Sequence, residues 1–430
     1  MWTNWSGGQR SAPHATVRPL DEAGVRAAVR RAAASGRRVR PFGAGHSFSP
    51  LAVTDDVALD LSALTGVVGV AGRRVRVRAG TTLAELNAVL ADRDLALGTL
   101  ADVDTPTVAG AIATGTHGSS PKVGSLSAQV TALRMVDGHG QAAEVPAAEL
   151  DAARTALGAL GVITEVELTV VPARRLRVSQ ARVPLAEALA GGYLDGHDWA
   201  EFSVFPYAEE ALARWADAVS PDPASDAQPE PDGARSASLR NLVESRLVRA
   251  AAVGGGVALG RSVPRLVPAI NRVATALTST GAVTDLPHRV LVARPVVRWE
   301  ECEWAVPRER LADAVGELLA AITERELDVA FPVDVRVGPA ETGWLHPAHQ
   351  RATGWIAVHT AVGADPEPLR LAAEVLGGHQ GRPHWGKRHR WTASQLAEAY
   401  PRYAEFLTVR DRRDPNRVFT NPHLDALLGH

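Results

Sequence analysis

The chain has 430 residues, which at roughly 150 residues per domain accommodates two or three domains. Its 46 Lys and Arg residues and 48 Asp and Glu residues give a formal net charge of −2, so it has no basic surplus of the kind that binds nucleic acid. A hydrophobic share of 46% excludes a wholly disordered chain, and a single cysteine, Cys302, excludes a disulfide scaffold.

The sequence shows neither a secretion signal nor a stretch long enough to span a membrane. The first 20 residues lack the continuous apolar core of a secretion signal. The most apolar stretch, residues 250–260, is about half as long as a membrane-spanning helix. We therefore predict a cytoplasmic protein with at most peripheral membrane contact.

The first 172 residues alternate helix-like and strand-like segments. Apolar spacing and turn signals predict helices over 21–34 and 81–94, a short helix after Pro146, and strands over 37–43, 73–80, 130–138 and 161–172. These elements are too irregularly spaced for a plain doubly wound sheet, so we predict a mixed α+β domain.

A second sheet-and-helix region is predicted from about residue 173 to 400. Residues 218–236 are rich in Pro, Asp and Ala and predict a solvated loop. A strand leads into an amphipathic helix over 301–326, and two more strands are predicted at 331–337 and 354–362. The closing segment is predicted to return to the first domain.

Two glycine-rich loops are candidate cofactor sites. In PFGAGHSFSP (41–50), glycines let backbone N–H groups approach a phosphate or a flavin ring, with His46 beside it. The same loop nearly matches the G-x-S-x-G elbow of serine hydrolases around Ser47, but lacks the final glycine and the following helix. TVAGAIATGTHGSS (107–120) combines small residues and hydroxyls that suit a pyrophosphate. Ordinary tight turns are the alternative for both.

Three ionisable residues in the second region are candidates for chemistry. Asp334 and Arg336 lie two apart on a predicted strand and therefore face the same way, either into a cavity or as a surface ion pair. Lys387 is one of only two lysines in an arginine-rich chain, which indicates a site that arginine does not fit, with a surface lysine as the alternative.

A metal site is not predicted from the histidines of HQGRPHWGKRH. His379, His384 and His389 recur every five residues, a spacing that does not place side chains on one face of a helix. A proline and a glycine between them also oppose a continuous helix.

Together these motifs resemble the vanillyl-alcohol-oxidase type of flavoprotein, and more closely its sugar-1,4-lactone oxidases and alditol oxidases. The similarity covers essentially the whole chain and is carried by GAGHS (43–47), LADVDTPTVAGAIATGTHG (100–118), LGALGVITEVEL (157–168), VDVR (333–336), RPHWGK (382–387) and DPNRVFTNPHL (414–424). It implies an α+β, two-domain flavoprotein. The FAD-binding domain would span 1–172, a substrate domain on an antiparallel sheet flanked by helices 173–401, and a returning segment 402–430.

The resemblance also implies the cofactor and its contacts. FAD would be attached covalently to His46, with no metal. The remaining cofactor-binding residues would be Pro41, Phe42, Gly43, Ala44, Gly45, Ser47, Ala101, Asp102, Thr107, Gly110, Thr114, Gly115, Thr116, His117, Gly118, Ile163, His384 and Lys387.

The implied reaction is oxidation of a carbinol by hydride transfer to flavin N5. Arg336 would stabilise the developing oxyanion and Lys387 would supply charge, while Asp334 stands where the family usually has a longer Glu. Ala101-Asp102 mixes lactone and alditol patterns, but residues 197–207 and 381–389 favour a lactone. The electron acceptor would be oxygen, a quinone, a cytochrome or an artificial acceptor. A colourless hydrolase and a non-enzymatic flavin or sugar binder are the other classes considered.

Overall fold

The computed structural model describes residues 1–219, 255–256, 259–260, 262–278, 280–293 and 297–429. The loop predicted over 218–236 lies outside the described residues from position 220 onward, as does most of the apolar stretch 250–260. Among the helices within these ranges, none has the length and apolar composition needed to cross a membrane.

Three sheets form the first part of the chain. A short antiparallel pair and a parallel three-stranded sheet in the order β3-β5-β4 are followed by an antiparallel sheet in the order β10-β9-β11-β7-β6, with β8 also paired to β11. The strands are β1 (Trp2–Thr3), β2 (Arg10–Ser11), β3 (Ala15–Val17), β4 (Val39–Phe42), β5 (Val57–Asp60), β6 (Val67–Ala71), β7 (Arg74–Arg78), β8 (Leu95–Leu97), β9 (Val130–Val136), β10 (Ala142–Glu144) and β11 (Val162–Pro172).

The helices of this part begin where capping side chains satisfy the first free N–H groups. Asp21 caps Glu22–Ala34, Thr82 caps Leu83–Ala91 in a capping box, and Thr107 caps Val108–Thr114. The helices predicted over 21–34 and 81–94 are therefore confirmed within a few residues. Shorter elements are the 3₁₀ turns Pro50–Ala52 and Ala147–Glu149 and the one-turn helix Leu150–Ala153.

The second part is built on one eight-stranded antiparallel sheet, in the order β15-β12-β14-β13-β17-β18-β16-β19. Its strands are β12 (Leu176–Pro184), β13 (Trp199–Val204), β14 (Glu210–Ala218), β15 (Gly281–Asp285), β16 (Trp299–Pro307), β17 (Val333–Gly338), β18 (Thr353–Ala361) and β19 (Arg382–Pro383). Helical segments in this part are Leu185–Ala190, Gly192–Gly196, Pro264–Leu266, Val267–Ala276, Pro287–Val290, Arg308–Arg310, Leu311–Glu324 and Glu367–Gly378.

The two faces of this sheet differ because side chains alternate along each strand. One face is apolar, with Phe202, Val335 and Ile356 buried in a cluster that includes Leu318 and Leu376 from the covering helices. The opposite face is polar and turns toward the first part of the chain. This division of faces places charged side chains of the central strands between the two parts.

The C-terminal helices Ala393–Ala399, Tyr403–Arg413 and Pro422–Leu428 pack onto the first part. Leu396, Phe406 and Leu424 belong to the same buried cluster as the residues of the first sheets. The chain passes from the sheet of the first part to the eight-stranded sheet between β11 and β12. The exact domain bounds of 1–172, 173–401 and 402–430 stay a prediction.

One buried arginine ties these segments together. Arg40 on β4 is 2% exposed and donates hydrogen bonds to the carbonyl oxygens of Leu51, Leu157, Gly158 and Phe419, at 2.8 to 3.2 Å. Burial lowers its pKa to about 10, so the guanidinium stays charged at neutral pH. The side chain therefore links three separate stretches of the chain through main-chain oxygens.

Candidate active site

A cavity of about 400 Å³ lies where the polar face of the eight-stranded sheet meets the first part of the chain. This volume is within the roughly 300–1,000 Å³ typical of small-molecule sites. The structure brings almost all predicted site residues to its wall, namely Pro41, Phe42, Gly43, Ala44, Gly45, His46, Ser47, Ala101, Asp102, Thr107, Gly110, Thr114, Thr116, His117, Ile163, Asp334, Arg336, His384 and Lys387.

One wall consists of the loop after β4 and the helix Val108–Thr114. Gly45 has a φ of +67°, which favours glycine, and a Cβ on Gly43 would clash with the side chain of Thr107. The wall therefore presents backbone and hydroxyl groups in place of bulky side chains. Such a surface fits a flat ring and the oxygens of a pyrophosphate.

Gly115 and Gly118 are not on this wall, and the structure gives them another role. Gly115 ends the helix with a φ of +79°, and a Cβ there would lie 3.0 Å from the His346 ring. A Cβ on Gly118 would lie 2.7 Å from the carbonyl oxygen of Leu100. Close packing explains why both positions are glycine, and their contact with the cofactor stays a prediction.

His46 projects into the cavity between aromatic and polar neighbours. Its ring stacks on Trp5 at 5.4 Å between centroids, and its Nε2 lies 2.6 Å from the Thr105 hydroxyl oxygen. Burial, reinforced by the positive charge of Lys387, lowers the pKa of His46 to about 4. The imidazole is therefore neutral at physiological pH, as a nucleophilic or bond-forming ring nitrogen must be.

The structure does not build a serine-hydrolase elbow at Ser47. The loop is followed by the 3₁₀ turn Pro50–Ala52 and then by β5, the central strand of the parallel sheet, rather than by an α-helix. The Ser49 hydroxyl donates to the carbonyl oxygen of Trp385 at 2.6 Å and serves to anchor the loop.

The opposite wall is the polar face of four neighbouring strands. Strand register places Glu201 beside Arg336, Ser203 beside Asp334, and Glu301 beside His359. Asp334 and Arg336 thus face the cavity together, as their spacing predicts. Glu301, Glu303 and His359 also line it, and these three were not among the predicted site residues.

Arg336 is surrounded by carboxylates. Its Nε donates to Glu201 at 3.1 Å and its Nη2 pairs with Asp102 of the first part, while Asp334 and Glu303 lie at 3.9 and 3.8 Å. Burial alone would lower the pKa of Arg336, but these carboxylates outweigh it and hold the pKa well above its usual value. The guanidinium is permanently charged and its plane is fixed.

Asp334 is held by its neighbours as well. Its Oδ1 accepts a 2.6 Å hydrogen bond from Ser203, and its Oδ2 lies 3.9 Å from Nε2 of His359. The carboxylate lines the cavity, and its direct contact with substrate stays a prediction.

Lys387 is not a surface lysine. Its Nζ donates to Oε1 of Glu301 at 2.6 Å and lies 5.3 Å from the centre of the Phe48 ring. Burial opposes its charge, but Glu301 and Glu303 outweigh burial and raise the pKa of Lys387. It is therefore a charged donor beside Arg336 and across from His46.

His117, Glu303 and His384 form a buried polar cluster. One nitrogen or oxygen atom from each, of the kind that can bind a metal, lies within 4.8 Å of the others. Two imidazoles and a carboxylate are a set that binds transition metals. Arg336 and Lys387, however, already face the two oxygens of Glu303 at 3.8 and 3.9 Å. These cations supply the charge that a metal would otherwise provide, and they favour an organic occupant.

Comparison with known proteins identifies the family. Residues 166–427 match the sequence model of D-arabinono-1,4-lactone oxidase, and residues 13–145 match that of an FAD-binding domain. The chain belongs to the D-arabinono-1,4-lactone oxidase family. Its members are FAD-dependent oxidoreductases that act on CH–OH groups, so the cofactor prediction of FAD is confirmed, as is the prediction of an enzyme.

Relatives of this lactone oxidase family member cover nearly its whole length. It is 38% identical to an L-gulono-1,4-lactone dehydrogenase of Mycobacterium tuberculosis, over 100% of this chain and 99% of the relative. It is 30% identical both to the L-gulonolactone oxidase of Bos taurus, over 99% and 97%, and to an alditol oxidase of a Streptomyces species, over 99% and 98%.

Solved structures confirm the predicted fold of the lactone oxidase family member. A solvent-stable cholesterol oxidase superposes with a TM-score of 0.79 at 18% identity, covering 99% of this chain and 97% of that one. The cholesterol oxidase of Brevibacterium sterolicum gives 0.76 over 99% and 96%, also at 18% identity. The α+β, two-domain architecture of vanillyl-alcohol-oxidase-type flavoproteins is therefore the fold of this chain.

Proposed function

We propose that the protein oxidises a secondary carbinol of a sugar-1,4-lactone. The observation that carries the proposal is the pair of partly buried cations, Arg336 and Lys387, on the wall opposite the glycine and threonine wall. A polyhydroxylated ring between these walls would meet fixed donors and several carboxylate acceptors. The lactone dehydrogenase and oxidase among the relatives support the same substrate class.

The chain's own residues would act by position and charge. Arg336 would bind the reacting oxygen through its planar fork and stabilise negative charge as the hydroxyl proton leaves. Lys387 would donate a second charge-assisted hydrogen bond to the same region. Bound FAD supplies a two-electron acceptor for the C–H hydrogen. Residues 41–47 and 107–116 would hold it through backbone and hydroxyl groups.

The direct test is anaerobic mixing of the purified holoenzyme with aldonolactones and, separately, with alditols. We expect an aldonolactone to bleach the flavin absorbance near its visible maximum. Bleaching by alditols alone would select the alternative function, an alditol oxidase that forms an aldose, which the Streptomyces relative supports. If no compound of either class bleaches a bound flavin, both proposals are wrong.

We further propose that FAD is attached covalently through His46. The neutral imidazole in the cavity wall, with Nε2 engaged by Thr105, leaves Nδ1 as the ring nitrogen available for a bond to the flavin methyl group. In His46→Ala, acid precipitation is expected to release all flavin into the supernatant, whereas the wild-type pellet stays yellow. Mass spectrometry of the flavin-bearing peptide locates the bond.

A histidine outside the cavity provides the control for this prediction. His379 lies near the surface and bonds to Glu317, so His379→Ala should retain a yellow pellet. A His46→Ala pellet that is still yellow would refute the attachment site. A wild-type pellet without flavin would refute the covalent bond itself.

The electron acceptor is a separate point of the proposal. Ala101 lines the cavity beside Asp102, and we propose that its methyl group obstructs the approach of oxygen to the flavin. Ala101→Gly is expected to speed reoxidation by oxygen by about tenfold, which corresponds to about 1.4 kcal/mol. The rate with an artificial acceptor dye should stay unchanged and is the internal control. Equal oxygen rates in both forms would remove Ala101 from this role.

A further inference from the structure

The hydrogen bonds of His117 determine where its protons lie. Nδ1 of His117 is 2.8 Å from the carbonyl oxygen of Gly118, which can only accept, so Nδ1 carries a proton. Nε2 lies 3.3 Å from Oε1 of Glu303, in a site where both side chains are almost fully buried. A bare Nε2 would face a carboxylate lone pair there. A proton on Nε2 would turn this repulsion into an attraction, and that proton is called the shared proton below.

The position of His117 is fixed by packing. Its ring stacks on Trp355 at 3.7 Å between centroids with an interplanar angle of 15°. With Nδ1 bonded and one ring face covered, the imidazole cannot turn away from Glu303. The contact between His117 and Glu303 is thus fixed by packing.

Glu303 in turn has unfilled hydrogen-bonding capacity. Its Oε1 is buried and makes no hydrogen bond of normal geometry among the described residues. Its oxygens lie 3.8 Å from Nη1 of Arg336 and 3.9 Å from Nζ of Lys387. These gaps are too long for hydrogen bonds. All three side chains line the cavity, so a hydroxyl group beside them could donate to the carboxylate and accept from a cation.

We propose that Glu303 is the catalytic residue that accepts the hydroxyl proton of the substrate, and that His117 is a positioning residue that holds Glu303 in its ionised form. The proposal rests on the lactone oxidation of the proposed function. It adds a group that can accept the substrate's hydroxyl proton. Arg336 and Lys387 are both charged donors, and neither can take up a proton.

The step balances with the groups already named. The substrate O–H bond breaks and its proton forms an O–H bond with the Glu303 carboxylate. The electron pair of that O–H bond becomes the second bond of the product carbonyl, while the C–H hydrogen leaves with its own pair to the FAD of the proposed function. Afterwards the protonated carboxyl releases its proton to solvent once the product has left the cavity.

The charges around Glu303 favour its anionic form. Facing groups are His117, Arg336, Lys387 and His384 on the neighbouring elements, Glu301 on the same strand, and His346 behind Trp355. Burial alone would raise the pKa of Glu303, but His117 and Lys387 outweigh it and hold the pKa well below its usual value. Burial lowers the pKa of His384 to about 3, so that ring is neutral.

The test is the rate of anaerobic flavin reduction by an aldonolactone in the FAD-loaded enzyme, measured over a range of pH. Wild-type reduction is expected to be nearly independent of pH above the range in which Glu303 protonates. Glu303→Gln should reduce the flavin at least about 100-fold more slowly, as for loss of a general base, with a rate that rises with pH. Glu303→Asp should restore part of the rate.

A structural role for Glu303 would give a different result. Glu374→Gln, which alters an exposed partner of Arg325, is the matched control and should behave as wild type. A Glu303→Gln rate within threefold of wild type with the same pH profile would overturn the proposal. Wild-type flavin that no lactone or alditol reduces would instead refute the proposed function.

The shared proton is tested without turnover. Nitrogen-15 NMR of histidine-labelled protein, with His117 assigned through His117→Asn, should show both ring nitrogens of His117 protonated in the wild type and only Nδ1 protonated in Glu303→Gln. A wild-type His117 with a bare Nε2 at pH 6 would overturn the positioning role. In His117→Asn, the acid limb of flavin reduction should move to higher pH, and an unmoved limb would contradict it.

Discussion

Arg336→Lys is expected to lower kcat for lactone oxidation by about 100-fold to 1,000-fold, the range for losing a preorganised donor to a developing oxyanion. Arg336 holds Glu201 through Nε and Asp102 through Nη2, which leaves the guanidinium plane oriented toward the cavity. A lysine offers one point charge and cannot make both contacts while also donating to substrate. Steady-state kinetics with an artificial acceptor would measure the loss.

A conservative substitution elsewhere separates this effect from general damage. Arg325 pairs with Glu374 at the surface, so Arg325→Lys should leave kcat within twofold. The flavin spectrum of Arg336→Lys should match that of the wild type. Kinetics near the wild-type values in Arg336→Lys would remove the guanidinium from the mechanism.

Arg40→Met should destabilise the protein by about 3–5 kcal/mol, because several buried carbonyl oxygens lose their donor together. These oxygens belong to Leu51, Leu157, Gly158 and Phe419, so the loss is shared by three stretches of the chain. Denaturant unfolding of the two proteins at equal FAD occupancy measures the change in free energy.

The neighbouring arginine provides the comparison for Arg40. The side chain of Arg38 is 44% exposed and bonds to Asp425 at 3.3 Å, so Arg38→Met should change the free energy of unfolding by less than about 1 kcal/mol. Equal effects of the two substitutions would show that the carbonyl contacts of Arg40 contribute little.

Local patterns in the sequence predicted much of the fold. The helix cap at Thr82 and the alternation in residues 73–80 act within one element, so they hold whatever packs around them. The helix expected after Pro146 is observed as the 3₁₀ turn Ala147–Glu149 followed by the single α-helical turn Leu150–Ala153. The order of the eight strands depends on long-range pairing, which no local pattern contains.

In the site, too, some residues follow from local sequence patterns and others only from long-range strand pairing. Asp334 and Arg336 share a face because they lie two apart on one strand, and the sequence shows that directly. Glu301 and Glu303 in ECEWAV are also two residues apart on a strand and therefore share a face. This spacing was the sequence signal that could have identified them as site residues. Glu301 and Glu303 lie in the site because β16 pairs with β18 and β18 pairs with β17. This pairing brings the two glutamates beside Lys387 and Arg336.

The loop that carries His46 is fastened from both ends of the chain. Gly45 accepts a hydrogen bond from the backbone of Trp5, Phe48 donates to Gly386, and Val39 at the start of β4 donates to Val418. During synthesis on the ribosome this loop therefore lacks its C-terminal supports until about residue 418 has emerged. We therefore expect FAD loading to follow synthesis of this segment, and truncation before residue 418 to impair loading although Val418 does not line the cavity.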